Sequence, residues 1–334
     1  MKLIVPMAGR GTRLRPHTHV TPKPLLPVVG RSMVERIVET FAGALPRGLD
    51  EAVFVLGPDF GDEVRRQLAA ICERQGLRPH FAVQEQALGT AHAVVQAGEH
   101  LDGECVIVFA DTLFAMDETP DLDADAVVWV KHVDDPRRFG VVVKDGERIS
   151  AFVEKPEEPI SNEAIIGIYY VRDAATLRRE IDDLIEDDVR GAGGEFQLTD
   201  ALDRMLKAGQ TFKTASVSEW LDCGTIPALK DTTRVMLDKS GEATHEGRVE
   251  NSTLIEPVFL GPDATVRDSV VGPYAAIHGK ATVTGSTVKN TIVFEGATVE
   301  GSALDDAVVG HEAHVRGFAG PLNIGDHATV GVEA

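Results

Sequence analysis

Gly9-Arg10-Gly11-Thr12-Arg13-Leu14-Arg15-Pro16-His17-Thr18-His19-Val20-Thr21-Pro22-Lys23-Pro24-Leu25-Leu26-Pro27-Val28 is the stretch from which the rest of the chain can be read. It follows Leu3-Ile4-Val5, an apolar run that suits the first buried strand of an α/β sheet. Glycines at a strand exit let the backbone turn sharply and aim successive N–H groups at an anion. Arg10, Arg13, Arg15 and Lys23 add fixed positive charge, arginine as a planar clamp and lysine as a point charge. The first 34 residues hold six basic side chains and no acidic one, whereas the whole chain stands at −20, which leaves −26 on the other 300. A cationic island in so acidic a protein is placed to hold something polyanionic.

Two familiar glycine motifs are excluded. A dinucleotide fingerprint needs a third glycine where Leu14 stands. A P-loop needs Gly-Lys-Ser/Thr to close it, and the stretch has none. Gly9-x-Gly11-Thr12-Arg13-Leu14-x-Pro16 followed by Pro22-Lys23-Pro24-Leu25 instead closely resembles the signature of the sugar-1-phosphate nucleotidyltransferases, and within them the long glucose-1-phosphate thymidylyltransferases.

At 334 residues two domains are expected, because single cores rarely outgrow about 250–300 residues. A hydrophobic fraction of 43% is enough for buried cores in both. No run approaches a membrane span and the chain begins as a strand, so a cytoplasmic protein without a signal peptide is expected. Cys72, Cys105 and Cys223 have neither disulfide nor metal-ligand spacing. The net charge disfavours nucleic acid and anionic membranes as partners.

Strand-like runs at 2–6, 52–56, 80–84 and 104–109 alternate with helical periodicity over Met33 to Ala44, Phe60 to Arg74 and Leu88 to Ala97. That rhythm predicts a doubly wound, mostly parallel, Rossmann-like sheet with ligands at the carboxyl ends of its strands. Further strands at 126–131, 139–144, 148–153 and 164–171 and helices near 173–186, 197–208 and 225–238 complete a domain of residues 1–240. Beyond it the texture changes. Aliphatic residues recur five or six positions apart: Leu254, Leu260, Val266; Val271, Ile277, Val283; Val288, Val293, Val299; Leu304, Val309, Val315. Three short strands per coil, each with one inward aliphatic, predict a left-handed parallel β-helix of hexapeptide repeats over 241–334. Phe259, Tyr274 and Phe294 are expected on its solvent face, where they would support a homo-oligomer.

Asp111 follows the run Val106-Ile107-Val108-Phe109, at the strand edge where such sheets bind ligands. Mg²⁺ takes one or two carboxylates plus substrate phosphates, which suits a lone aspartate there. The resemblance supplies the remaining roles. It implies Asp222, in Trp220-x-Asp222-x-Gly224-Thr225, as the second metal ligand beside Asp111. For the nucleotide it implies Ala8, Gly9, Gly11, Thr12 and Arg13, with Gln84 reading the base edge and Gly89-Thr90 close to base and ribose. For the sugar phosphate it implies Gly140, Glu154, Lys155, Gly167 and Glu195. Ala110 and Ile165 depart from the family pattern, which has glycine and asparagine there.

The reaction so implied is NTP plus sugar 1-phosphate giving a nucleotide sugar and pyrophosphate, with dTTP or UTP and glucose 1-phosphate as expected substrates. The phosphate oxygen is itself the nucleophile, so positioning and charge neutralisation by Arg13, Lys23, Asp111 and Asp222 would suffice. Two other readings stand beside it: a non-catalytic regulatory or scaffold subunit, and a bifunctional uridyltransferase/acetyltransferase.

Overall fold

The computed structural model describes residues 1–331 apart from Arg10, Pro159 and Ser240. Arg10, one of the cations of the basic stretch, and Ser240, at the expected domain boundary, therefore lie outside the described residues. By contacts the chain divides into two compact units, Met1–Gly9 with Val34–Trp220, and Arg10–Met33 with Leu221–Ala334.

The first unit is built on a nine-stranded sheet. Its order is Arg78–Val83, Glu51–Leu56, Lys2–Pro6, Cys105–Val108, Glu163–Val171, Ala126–His132, Phe212–Ser216, Arg148–Glu154, Gly140–Asp145. The first four strands are parallel, as the helical crossovers Met33–Ala44 and Asp62–Arg74 require. Glu163–Val171 then runs antiparallel to both of its main neighbours, Cys105–Val108 and Ala126–His132, so the sheet is mixed. The last two strands form a hairpin with Glu154 opposite Gly140. Lys2–Pro6 sits between two parallel partners, and its Leu3, Ile4 and Val5 are fully buried. Among the described residues no helix is long and apolar enough to cross a membrane.

In the second unit, three parallel sheets of six, five and five short strands stack in register from Arg248 to Gly331 as the coils of a left-handed β-helix. Val266, Val283, Val299 and Val315 lie directly above one another, and the aliphatic series read from the sequence forms its core. Each coil turns through left-handed residues: Asn251, Asp268, Gly285, Gly301 and Gly317 at one corner, and Asp263, Lys280, Gly296, Glu312 and His327 at another. Asparagine, aspartate and glycine bear that conformation at least cost. Ser252, Ser269, Ser286 and Ser302 line the first corner, each hydroxyl taking the N–H of the next coil at 3.0–3.1 Å. One expectation is corrected: Phe259 and Phe294 are buried, at 6% and 0% exposure. The segment Arg10–Met33 packs with this unit, and sequence order alone gave no sign of it.

Candidate active site

In the second unit, Gly11 takes φ +58°, and a Cβ there would lie 2.8 Å from the Lys23 Cβ. Glycine thus lets the turn close onto the buried lysine stem. Thr12–Leu14 form one 3₁₀ turn, Leu14 is buried, and Thr12 and Arg13 are exposed. The Arg13 guanidinium and the Asp222 carboxylate flank Gly224: a Cβ on it would stand 3.4 Å from Nη2 and 2.9 Å from Oδ1. The Gly224 N–H donates to Asp222 Oδ1 at 2.7 Å, and the Thr232 hydroxyl donates to the Asp222 carbonyl at 2.7 Å. Cys223, between them, is fully buried.

In the first unit, Ala8 and Gly9 leave the central strand, and a Cβ at Gly9 would meet nothing within 4 Å. Gln84 directly follows the strand Arg78–Val83 and is buried, its Nε2 3.3 Å from the Gly89 carbonyl and 3.1 Å from His92 Nδ1. Gly89 has φ +122°, and a Cβ there would approach the Phe196 carbonyl oxygen to 2.4 Å and the Glu195 Cβ to 3.0 Å. The Thr90 hydroxyl donates to Gln197 Oε1 at 3.2 Å and accepts the Leu198 N–H at 2.9 Å. Gln84, Gly89, Thr90 and Glu195 are therefore one assembly, although more than a hundred residues separate its ends.

A second assembly forms on the hairpin. A Cβ at Gly140 would touch Glu154 Oε2 at 2.7 Å and Ile165 Cδ1 at 3.4 Å. Lys155 follows with φ +45°, a left-handed residue with a side chain, and such strain gathers at working sites. Its Nζ lies 3.6 Å from Glu154 Oε1. Gly167, at φ +80°, takes the Phe109 N–H at 3.0 Å, two residues before the exposed Asp111. Buried Tyr169 feels both groups: burial first, then the charges of Glu154 and Asp111, hold its phenol far above the ordinary tyrosine value. Asp111 and Glu154 thus share an electrostatic neighbourhood.

Asp200 and His17 were not singled out from the sequence, although His17 lies within the basic stretch and Asp200 only five residues after Glu195. Asp200 Oδ2 is buried without a hydrogen-bond partner, and burial, then Asp203 and Glu154, raise its carboxyl above the ordinary value. Glu51, His80 and His100 also bring ligand atoms within 4.8 Å of one another. That cluster lies where the strand Glu51–Leu56 begins, opposite the carboxyl ends, and Arg78 already holds Glu51 at 2.6 Å.

A strand–glycine turn–basic loop feeding a doubly wound sheet, with carboxylates at strand ends, defines a phosphate-handling α/β enzyme. The profile described as Nucleotidyl transferase matches residues 2–239, and the chain belongs to that family. Among named relatives, it is 27% identical to a glucose-1-phosphate thymidylyltransferase of Streptomyces griseus over 98% of both chains. It is also 27% identical to a low-salt glycan biosynthesis nucleotidyltransferase of Haloferax volcanii over 94% of both. Among solved structures, a Bacillus anthracis protein assigned as a glucose-1-phosphate thymidylyltransferase superimposes with a TM-score of 0.58 at 26% identity, covering 72% of this chain and 96% of that one. A UDP-glucose pyrophosphorylase complexed with UDP-glucose shares the fold, with a TM-score of 0.57 at 22% identity over 70% of this chain and 97% of that one.

Proposed function

We propose that the protein transfers a nucleotidyl group from dTTP or UTP to glucose 1-phosphate, in a Mg²⁺-dependent reaction that releases pyrophosphate. The observation that carries this reading is the basic turn, where Gly11 lets the loop close on Lys23 and Arg13 stands beside Asp222 across Gly224. Arg13 and the loop N–H groups bind the β- and γ-phosphates, and Lys23 and Lys155 draw in the sugar phosphate. Gln84 offers the base edge an amide able to donate and accept. Gly140, Glu154, Gly167 and Glu195 bind the sugar of the hexose 1-phosphate.

Asp111 and Asp222 fit a hard cation that keeps part of its water, since both are exposed carboxylates, Asp222 at the end of the strand Glu219–Asp222 and Asp111 in the turn before Thr112–Ala115. When bound, Mg²⁺ supplies charge neutralisation on the phosphates. These groups fall within residues 1–240, and the β-helix of 241–334 adds contacts for a homo-oligomer. Pyrophosphate release measured with a matrix of NTPs and hexose 1-phosphates, with and without Mg²⁺, tests the reading. Turnover confined to dTTP or UTP with glucose 1-phosphate is the expected result, and turnover with no pair refutes it.

A further inference from the structure

The three faces of the β-helix differ sharply. Two have open outward columns, with Arg267 and Glu300 exposed on one and Val270, Thr287 and Ala303 on the other. On the third, Phe259, Ala276, Ile292 and Val308 stand in register on successive coils, and all four are buried. Beside them the rings of Phe259, His278, Phe294 and His311 form a column, with neighbouring centroids 5.5, 5.6 and 5.0 Å apart.

The basic stretch covers this column. His17, fully buried, meets Phe294 edge-on at 5.5 Å, and its Nε2 lies 2.6 Å from Asn323 Oδ1. Pro16 seats on Gly325, where a Cβ would come within 2.9 Å of it. The Phe259 ring fills the space at Gly30, 2.5 Å from where a Cβ would stand, and Arg31 pairs with Glu242 at 2.6 Å. Glycines at both contacts permit an approach that any larger residue would block.

From His17 to the loop the linkage is short and stiff. The His17 N–H donates to the Leu14 carbonyl at 3.1 Å and the Leu14 N–H to the Gly11 carbonyl at 2.9 Å. The Thr18 hydroxyl donates to the same Gly11 carbonyl at 2.8 Å, and Gly11 rests on the Lys23 stem.

We propose that the ring column of the β-helix, with Asn323, is the seat that orients the triphosphate loop, and that His17 is the positioning residue transmitting that orientation to Arg13 and Lys23. The proposal rests on the phosphate-gripping role given to those two cations above. The β-helix is then part of the catalytic apparatus as well as a surface for assembly.

Two full-length variants test it. Asn323→Ala removes the acceptor from an exposed β-helix position and leaves the loop sequence intact. His17→Phe keeps a flat ring against Phe294 and loses only the polar bond. Amide hydrogen exchange and steady-state kinetics are the readouts. Exchange at the Leu14 amide and at the backbone amide of position 17 should quicken about tenfold in both variants while Leu3–Val5 hold their protection. The KM for the nucleotide should rise about tenfold, with the KM for the sugar phosphate within about twofold of wild type. Unchanged exchange across the loop in both folded variants overturns the seat, whatever the substrate. Faster exchange with unchanged nucleotide KM overturns it too, because the loop's orientation would then not matter. A wild-type protein that releases no pyrophosphate refutes the proposed function instead, and leaves exchange to judge the seat.

Discussion

At Gly89 the backbone combines φ +122° with ψ 178°, a region closed to residues with a side chain, and Phe196 leaves no room for a Cβ. Gly89→Ala should cost about 1–3 kcal/mol in a denaturant titration and weaken the nucleotide KM, because the Gln84–Thr90 turn must move off Phe196. Asp111→Asn and Asp222→Asn keep shape and lose charge, so each should cut kcat at least ~10²-fold in Mg²⁺. Near-normal turnover of both would refute the metal assignment. Asp200 behaves differently. Its carboxyl is raised in the folded chain, so the native state holds that proton more tightly than the unfolded chain does. Stability is then fullest below the ordinary value of 3.8 and falls as pH climbs through the folded value. Asp200→Asn should therefore raise the melting temperature at pH 8, and a lowered one would mean Oδ2 has a partner.

Among elements, the β-helix shows how a repeat satisfies its own corners. Ser286, buried at 4% exposure, accepts the Ser302 N–H at 3.0 Å and donates to the Thr284 carbonyl at 2.8 Å. Ser286→Ala strands a buried N–H, and the loss should be about 1–3 kcal/mol by denaturant titration. Because Ser286 lies on the serine-lined corner and not in the ring column, kinetics of the folded variant should match wild type. The seat proposed for the basic stretch makes the opposite demand, a change in nucleotide KM at little cost in stability. Comparing the two variants separates an element that merely holds from one that orients.

For the molecule as a whole, the buried His17 and the half-buried His311 set a pH limit. Burial is the main cause holding His17 and His311 below their ordinary value of 6.5. Asp326 faces both and opposes the shift, Glu295 and Glu312 also oppose it at His311, and His327 reinforces it there. The native rings take up a proton less readily than the unfolded chain, whose histidines titrate near 6.5. Their stabilisation is thus complete above about 6.5 and lost progressively as pH falls below it. Melting temperature should drop between pH 7 and 5, and His17→Phe should flatten that drop. Sequence alone determined the local and the periodic: the buried strand before Gly9, the glycine turn, the cations, the aliphatic repeat of the β-helix and the helix Met33–Ala44 to the residue. These follow from backbone freedom, charge and a period of hydrophobic burial, all of which a linear chain displays. The antiparallel Glu163–Val171, the meeting of Gly89 with Phe196, the orphaned Asp200 oxygen and the burial of Phe259 and Phe294 were decided only in three dimensions. Each depends on which distant segment packs alongside, and nothing in local composition shows that a strand-exit loop will come to rest on coils 306 residues away.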